Sequence, residues 1–319
     1  MRRDRFLTLT TSGMATLALG RRAAAQTFIP PPPAASLFIG NMRFDKYGQG
    51  EPALILVPGI SMGAWTWASA IKAFQKDHLV YAATLAGFDG TPPAPPPYLA
   101  RADASIVALI KQEGLQKPVI VGHSLGGHLV LRMLEDHPDL FAGAVVVDAT
   151  PFFPPLQPGQ TLAQRNADID LLAGSIRSAP DPLYAAQTRA MVANMVTSPA
   201  DVDIVSQHAL RTDRNTLAVV TSEMSEDLRP GLSRIAVPTL IVAPVSRDAP
   251  YMTDALRALT PQQLDDTIRN WYASQFVGAK TITVQTINGS KHFVMLDQPD
   301  ALNAVIGAFL ARLSAQPRT

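Results

Sequence analysis

Short, continuously apolar segments alternate with helical patterns along most of the chain. The apolar segments cover residues 53–57, 78–84, 118–121, 144–147, 238–243 and 281–286. Segments of this length that are apolar throughout are typical of parallel strands covered on both faces. The patterns between and after them predict helices over residues 64–76, 99–113, 125–135, 254–273 and 299–313. This alternation predicts an α/β fold, with a mostly parallel central sheet flanked by helices. Residues 37–44 are expected to add an antiparallel edge strand.

Residues 151–230 interrupt the alternation. This stretch has helical runs and no clear strand, and it is too long for a plain connecting loop. We therefore expect a helical lid inserted between two strands, with residues 37–150 and 231–319 forming the core. Phe152 and Phe153 open the insertion, and Trp65 lies in the first half of the core. Each of the three could contact substrate or belong to the apolar core.

The first 25 residues have the features of an export signal. Arg2, Arg3 and Arg5 precede a short, weakly apolar segment, and Ala23–Ala25 forms a small-residue cleavage pattern. The Arg2-Arg3 pair resembles a twin-arginine signal, although two residues separate it from Phe6 where one is usual. The apolar segment is too short to span a bilayer. We expect a periplasmic or secreted protein, with residues 26–36 as a proline-rich linker.

Composition and charge exclude several classes of protein. The 319 residues include no cysteine, which excludes thiol nucleophiles, disulfides and cysteine-ligated zinc. The net charge of +1 provides no basic field for nucleic acid. The first 25 residues contain five arginines and one aspartate, so their removal would leave a mildly acidic protein. A small-molecule substrate is expected, with no metal or other cofactor, no membrane span after signal removal, and a monomeric or dimeric state.

The sharpest motif in the chain is the sequence Gly122-His-Ser124-Leu-Gly126. It fits the pattern G-x-S-x-G, and it follows a predicted strand and precedes a predicted helix. A serine on such a sharp strand-to-helix turn is exposed above the sheet edge as a nucleophile, and the turn is too crowded for side chains at the two glycines. The N–H of Leu125 would then point toward a developing oxyanion. A structural turn is the alternative interpretation.

The surrounding motifs resemble the α/β-hydrolase superfamily over residues 37–315. They are Val57-Pro58-Gly59 before residues 60–63, the turn at residues 85–90, and residues 289–293 followed by Pro299. Pro58 stands where the family often has histidine, and Thr84 where it usually has an acid. The resemblance implies that the Ile60 N–H is the second oxyanion donor. It also implies that serine at position 124 disfavours dehalogenase and epoxide-hydrolase chemistry, which relies on an aspartate nucleophile.

His292 is the candidate general base. Of six histidines, it alone follows a predicted strand and precedes a helix, in the chain order serine, acid, histidine used by this fold. Its neutral imidazole would take the Ser124 proton and return it to the leaving group.

Two aspartates compete for the role of the triad acid. Asp248 follows the fifth predicted strand, where most of the superfamily places this acid, and it is the first choice. Asp148 ends the fourth predicted strand, where a minority of relatives have it. Arg247 could instead pair with Asp248 at the surface, and Asp148 could bind the amides of its own turn. Whichever acts would accept the second imidazole N–H.

These residues predict a serine hydrolase that cleaves a carboxylic ester, or a lactone or amide, through an acyl-enzyme. A perhydrolase without a metal, or a peptidase, could use the same triad. The alternative from a different class is a ligand-binding member of the fold that catalyses nothing. Fold alone does not distinguish among these activities.

Overall fold

A single eight-stranded sheet organises the part of the chain that the computed structural model describes, residues 28–315. Its strands are β1 (Ala35–Ile39), β2 (Met42–Tyr47), β3 (Leu54–Val57), β4 (Val80–Leu85), β5 (Val119–His123), β6 (Gly143–Val147), β7 (Thr239–Val245) and β8 (Ile282–Asn288). They lie in the order β1-β2-β4-β3-β5-β6-β7-β8. The pairs β1–β2 and β2–β4 are antiparallel, and every other neighbouring pair is parallel. The predicted fold class is confirmed.

Helices connect and cover these strands. They are α1 (Ala68–Phe74), α2 (Tyr98–Gln112), α3 (Leu125–Asp136), α4 (Leu162–Ser178), α5 (Asp181–Met195), α6 (Pro199–Leu210), α7 (Arg214–Glu223), α8 (Asp254–Arg257), α9 (Pro261–Gln275), α10 (Val294–Asp297) and α11 (Pro299–Ser314). Two 3₁₀ helices, Ala64–Trp67 and Arg229–Arg234, precede α1 and β7. The stretch between β6 and β7 therefore folds as helices α4 to α7, which we call the helical insertion.

Alternate residues of the central strands enter two separate cores. In β3, Ile55 and Val57 face one core, and Leu54 and Leu56 face the other. Apolar residues of α2, α3 and α9 complete the first core, and those of α1 and α11 complete the second. Each fully buried aliphatic side chain contributes about 2 kcal/mol by leaving water. This two-sided burial explains why the strands are apolar throughout.

Two predicted elements differ from the structure. The edge strand expected over residues 37–44 is a hairpin, because Gly40 adopts a left-handed φ of 58° and turns the chain between β1 and β2. The helix expected over residues 254–273 is divided into α8 and α9. Thr260 caps α9 through a capping box with Gln263, and Pro261 starts the new helix.

The predicted export signal, residues 1–25, lies outside the described residues. Within residues 28–315, every helix is too short or too polar to cross a membrane. Strands β5 to β8 run parallel, so their carboxyl ends meet at one edge of the sheet. Ser124, Asp148, Asp248 and His292 all follow these ends, and this edge is where ligands bind in open α/β sheets.

Candidate active site

Ser124 occupies a strained turn between β5 and α3. Its φ of 53° and ψ of −117° lie outside the regions that a side chain normally allows. A Cβ on Gly122 would lie 2.3 Å from the Gly126 carbonyl oxygen, and one on Gly126 would lie 2.3 Å from that of Val57. Both motif glycines are therefore required by close backbone contacts. The turn leaves Ser124 half-buried, next to the amino end of α3.

The loop after β3 passes directly over this turn. A Cβ on Gly59 would lie 3.2 Å from the Ser124 Cβ, so the peptide that leads to Ile60 lies against the serine. Leu125 is the first residue of α3, and the N–H groups of a first helical turn have no partner within the helix. The two predicted oxyanion donors thus lie on segments that converge on Ser124.

His292 follows β8, and its ring contacts a carboxylate. Its Nδ1 lies 2.6 Å from Oδ2 of Asp148. A quarter of the His292 side chain is exposed, against 16% of the Asp148 side chain, so the pair is partly shielded from water. This hydrogen bond fixes the tautomer, because it leaves Nε2 of His292 as the nitrogen that can accept a proton.

The carboxylate beside His292 is therefore Asp148, the alternative acid, and not Asp248. Asp148 directly follows β6, the strand next to β5, and its N–H donates to the Val242 carbonyl at 2.9 Å. Asp248 lies three residues beyond the end of β7 and is exposed. Its N–H donates to the Ser246 hydroxyl at 3.3 Å. The preference for Asp248 as the partner of His292 was therefore wrong.

Arg247 was a candidate ion-pair partner for Asp248, but its guanidinium makes other contacts. The Arg247 guanidinium donates to the carbonyls of Arg257 and Leu259. It therefore fastens the segment around α8 to the loop after β7, and the two neighbouring side chains have separate surroundings.

Sequence reasoning missed Tyr272. This residue lies on α9, and its hydroxyl donates a short hydrogen bond to Oδ1 of Asp148. Burial, and then the charge of Asp148 and the hydrogen bond to it, raise the pKa of the phenol well above its ordinary value. A tyrosine in an amphipathic helix belongs to no motif, so only its spatial position reveals the contact.

His123 also contributes more than its place in the motif suggested. It is fully buried, and its Nε2 donates to the backbone carbonyl of His292 at 2.9 Å. The two imidazole rings lie 4.6 Å apart. Burial, and then the nearby charge of His292, hold the pKa of His123 well below its usual value. The residue before the serine is therefore neutral and ties the histidine loop to the serine turn.

Comparison with known proteins identifies the family. The profile described as the alpha/beta hydrolase family matches residues 54–305, most of the chain. The chain belongs to this family.

Two curated proteins that this chain resembles have different activities. A fluoroacetate dehalogenase from a Burkholderia species is 32% identical over 112 residues, which cover 33% of this chain and 37% of that protein. The lipase LipV of Mycobacterium tuberculosis is 21% identical over 70% of this chain and 86% of its own length. The chain thus spans little more than a third of the dehalogenase that it matches.

Among solved structures, a thermophilic esterase from Thermogutta terrifontis superimposes with a TM-score of 0.69 at 18% identity, over 88% of this chain and 99% of that one. At this level of identity, the likeness establishes the fold.

The three candidate substrate contacts, Trp65, Phe152 and Phe153, have different environments. Trp65 is 6% exposed, and its ring stacks on that of His208 with centroids 4.1 Å apart. Phe152 is held between two guanidinium groups, those of Arg165 at 4.1 Å and Arg229 at 3.9 Å. These contacts give Phe152 a packing role inside the helical insertion. Phe153 is 49% exposed.

The helical insertion is hydrogen-bonded to loops on both sides of the candidate site. On the oxyanion side, His208 on α6 contacts the Asp89 carboxylate through Nδ1 at 2.8 Å. On the histidine side, the N–H of Thr197 donates to Asp297 at 2.8 Å. The N–H of Phe293, which follows His292, donates to the Met195 carbonyl at 3.2 Å. The insertion therefore contacts the loop after β4 and the segment that follows His292.

Within residues 28–315, no three histidine, aspartate or glutamate side chains are grouped as a metal site requires.

Proposed function

We propose that the protein is a serine hydrolase that cleaves carboxylic esters through a covalent acyl-enzyme. The observation that carries this proposal is the 2.6 Å contact between Nδ1 of His292 and Oδ2 of Asp148. The backbone carbonyl of His292 accepts a hydrogen bond from the side chain of His123, the residue immediately before Ser124. A serine, a histidine and a partly buried carboxylate in the chain order serine, acid, histidine form the nucleophile, base and orienting acid of acyl transfer.

In the first half of the reaction, the Ser124 Oγ attacks the carbonyl carbon while Nε2 of His292 takes its proton. The carbonyl oxygen becomes an oxyanion, which accepts hydrogen bonds from the N–H groups of Ile60 and Leu125. Asp148 stabilises the imidazolium and stays ionised. The imidazolium then gives its proton to the departing alkoxide, so an alcohol leaves and the acyl group remains on Ser124.

In the second half, Nε2 of His292 takes a proton from water, and the resulting hydroxide attacks the acyl carbon. The same two amides hold the second oxyanion. Its collapse breaks the bond to the Ser124 Oγ, which regains its proton from His292. A carboxylic acid is released, and the enzyme returns to its starting state.

The nucleophile also separates this protein from the dehalogenase that it partly resembles. Displacement of a halide by a serine hydroxyl would leave an ether on the protein, and the site offers no way to hydrolyse an ether. Attack on an ester carbonyl leaves an acyl-serine, which water cleaves by the same steps in reverse. Serine at position 124 therefore supports acyl transfer.

Hydrolysis of p-nitrophenyl esters with two to twelve acyl carbons tests this function. We expect turnover of at least one ester, and a loss of about 10³-fold or more in the Ser124→Ala variant. Lactones, a peptide amide and fluoroacetate serve as comparison substrates. Release of fluoride without any ester or lactone turnover would contradict the proposal.

We further propose that the enzyme is exported. The support is the basic start, the short apolar segment and the alanine-rich cleavage pattern within residues 1–25. Fractionation of bacteria that express the full chain should recover a shortened protein outside the cytoplasm, and replacement of Arg2 and Arg3 by lysine should retain it inside. If both the unmodified chain and the lysine variant remain full-length in the cytoplasm, export is contradicted.

A further inference from the structure

Tyr272 contacts the Asp148 carboxylate at the oxygen that His292 does not use. The phenol donates to Oδ1, while the imidazole lies against Oδ2. A carboxylate held at only one oxygen can rotate about its last side-chain bond, whereas one held at both oxygens cannot. The two contacts together define the direction in which Oδ2 points.

The backbone of Asp148 makes this support necessary. Its φ of 46° is left-handed, a conformation that is uncommon for residues other than glycine. The N–H bond to Val242 at 2.9 Å fixes the main chain against β7. The side chain still has to turn toward a histidine on the far side of β7, since β7 separates β6 from β8.

Packing of α9 against the core fixes the position of the Tyr272 phenol. Leu264, Ile268 and Tyr272 recur every four residues, so they lie on one face of the helix, and all three are buried. This face belongs to the same core as α3. The phenol is thus positioned by packing and does not depend on a mobile loop.

We propose that Tyr272 is a positioning residue, which acts through Asp148 to orient and tune His292. The inference rests on the proposed acyl-transfer function. The hydrogen bond from the Tyr272 phenol stabilises the negative charge of the Asp148 carboxylate. That charge therefore stabilises the protonated His292 imidazole less strongly. Removal of the phenol hydroxyl leaves a more basic and less well oriented carboxylate, and His292 then keeps its proton to a higher pH.

Two other residues near Asp148 and His292 also have to be considered, so that the effect of Tyr272 on His292 can be distinguished from theirs. His123 lies beside the His292 ring and is held neutral. Tyr251, in the loop after β7, is close enough to Asp148 for the carboxylate charge to contribute to a phenol pKa that burial raises to about 12. Its hydroxyl, however, donates to the Pro244 carbonyl at 3.4 Å. Tyr251 is therefore a matched control, a nearby phenol that does not hold the carboxylate.

The kinetic test compares Tyr272→Phe with Tyr251→Phe across pH. For Tyr272→Phe we expect kcat to fall about tenfold with KM nearly unchanged, and the acid limb of kcat/KM to move upward by about half a pH unit. Tyr251→Phe should match the unmodified enzyme in both respects. A Tyr272→Phe enzyme that is only less heat-stable, with an unchanged kcat and acid limb, would overturn the inference.

A double-mutant cycle shows whether Tyr272 acts through Asp148. In the Asp148→Asn background, the further change Tyr272→Phe should lower kcat by less than about twofold. A full tenfold additional loss would mean that the two residues act independently, and the positioning role would be wrong.

A measurement without substrate keeps the inference separate from the proposed function. Titration of the ¹⁵N-labelled His292 ring by NMR should give a higher pKa in Tyr272→Phe than in the unmodified protein. If no ester is hydrolysed but this shift is seen, the proposed reaction fails and the coupling of Tyr272 to His292 stands. If esters are hydrolysed and the shift is missing, the inference fails alone.

Discussion

Oδ2 of Asp148, at the end of β6, lies 2.6 Å from Nδ1 of His292, at the end of β8. Strand β7 runs between these two strands, so the hydrogen bond reaches across the strand that is followed by Asp248. The geometry therefore supports Asp148 as the orienting acid of the proposed reaction and leaves Asp248 at the surface.

Replacing Asp148 by asparagine should lower kcat steeply. The amide keeps the shape of the side chain but loses the charge, and it can present its NH₂ group to His292, so the imidazole adopts the wrong tautomer or orientation. We expect kcat for a p-nitrophenyl ester to fall by about 10³-fold or more. Asp248→Asn is the matched control, and its kcat should stay within about twofold of the unmodified enzyme. The opposite ranking of the two variants would return the role to Asp248.

His123 should affect catalysis without touching substrate. Phenylalanine has a similar size but cannot donate to the His292 carbonyl, so the His123→Phe variant should loosen the histidine loop. We expect kcat to fall about tenfold with little change in KM. His123→Gln, whose amide can donate in a similar direction, should recover part of the loss. Equal activity in all three proteins would show that the bond at 2.9 Å has no catalytic effect.

His128 should make the folded protein sensitive to mild acid. Burial, and then the nearby charge of Arg132, lower the pKa of this histidine to about 4 from its usual 6.5. Below pH 6.5 the unfolded chain binds a proton there that the folded chain does not, so stability falls as the pH drops toward 4. This difference is worth about 2 kcal/mol between pH 7.5 and pH 5.

Urea unfolding at pH 7.5 and pH 5 measures this sensitivity. The difference in unfolding free energy between the two pH values should be smaller by about 2 kcal/mol in the His128→Phe variant than in the unmodified protein. The comparison of differences cancels any loss of packing that the substitution causes at both pH values. An identical pH dependence in the two proteins would rule out His128 as its source.

The sequence was sufficient to predict the sheet and the positions of Ser124 and His292 at one edge of it. Apolar segments mark β3 to β7 because both faces of these strands are buried, and the glycines around Ser124 are fixed by backbone contacts within a few residues. These features are local, so a single sequence displays them. The hairpin at Gly40 was missed because two short strands and their turn have the same average polarity as one longer strand.

The remaining parts of the site depend on contacts between distant segments. Asp148 and Asp248 both follow strands at the same sheet edge, and only the path of each loop decides which carboxylate reaches His292. Tyr272 lies 124 positions from Asp148, and no motif links them. The guanidinium groups that hold Phe152 likewise come from separate segments, Arg165 on α4 and Arg229 before β7.

The most direct test of the account is covalent labelling of the folded protein with a fluorophosphonate, followed by intact mass measurement and peptide mapping. We predict a single adduct on Ser124, which forms much more slowly in the His292→Ala and Asp148→Asn variants and at the normal rate in Asp248→Asn. A protein that forms no adduct at Ser124, or labels it equally fast without His292 and Asp148, would contradict the assignment of these residues as a catalytic triad.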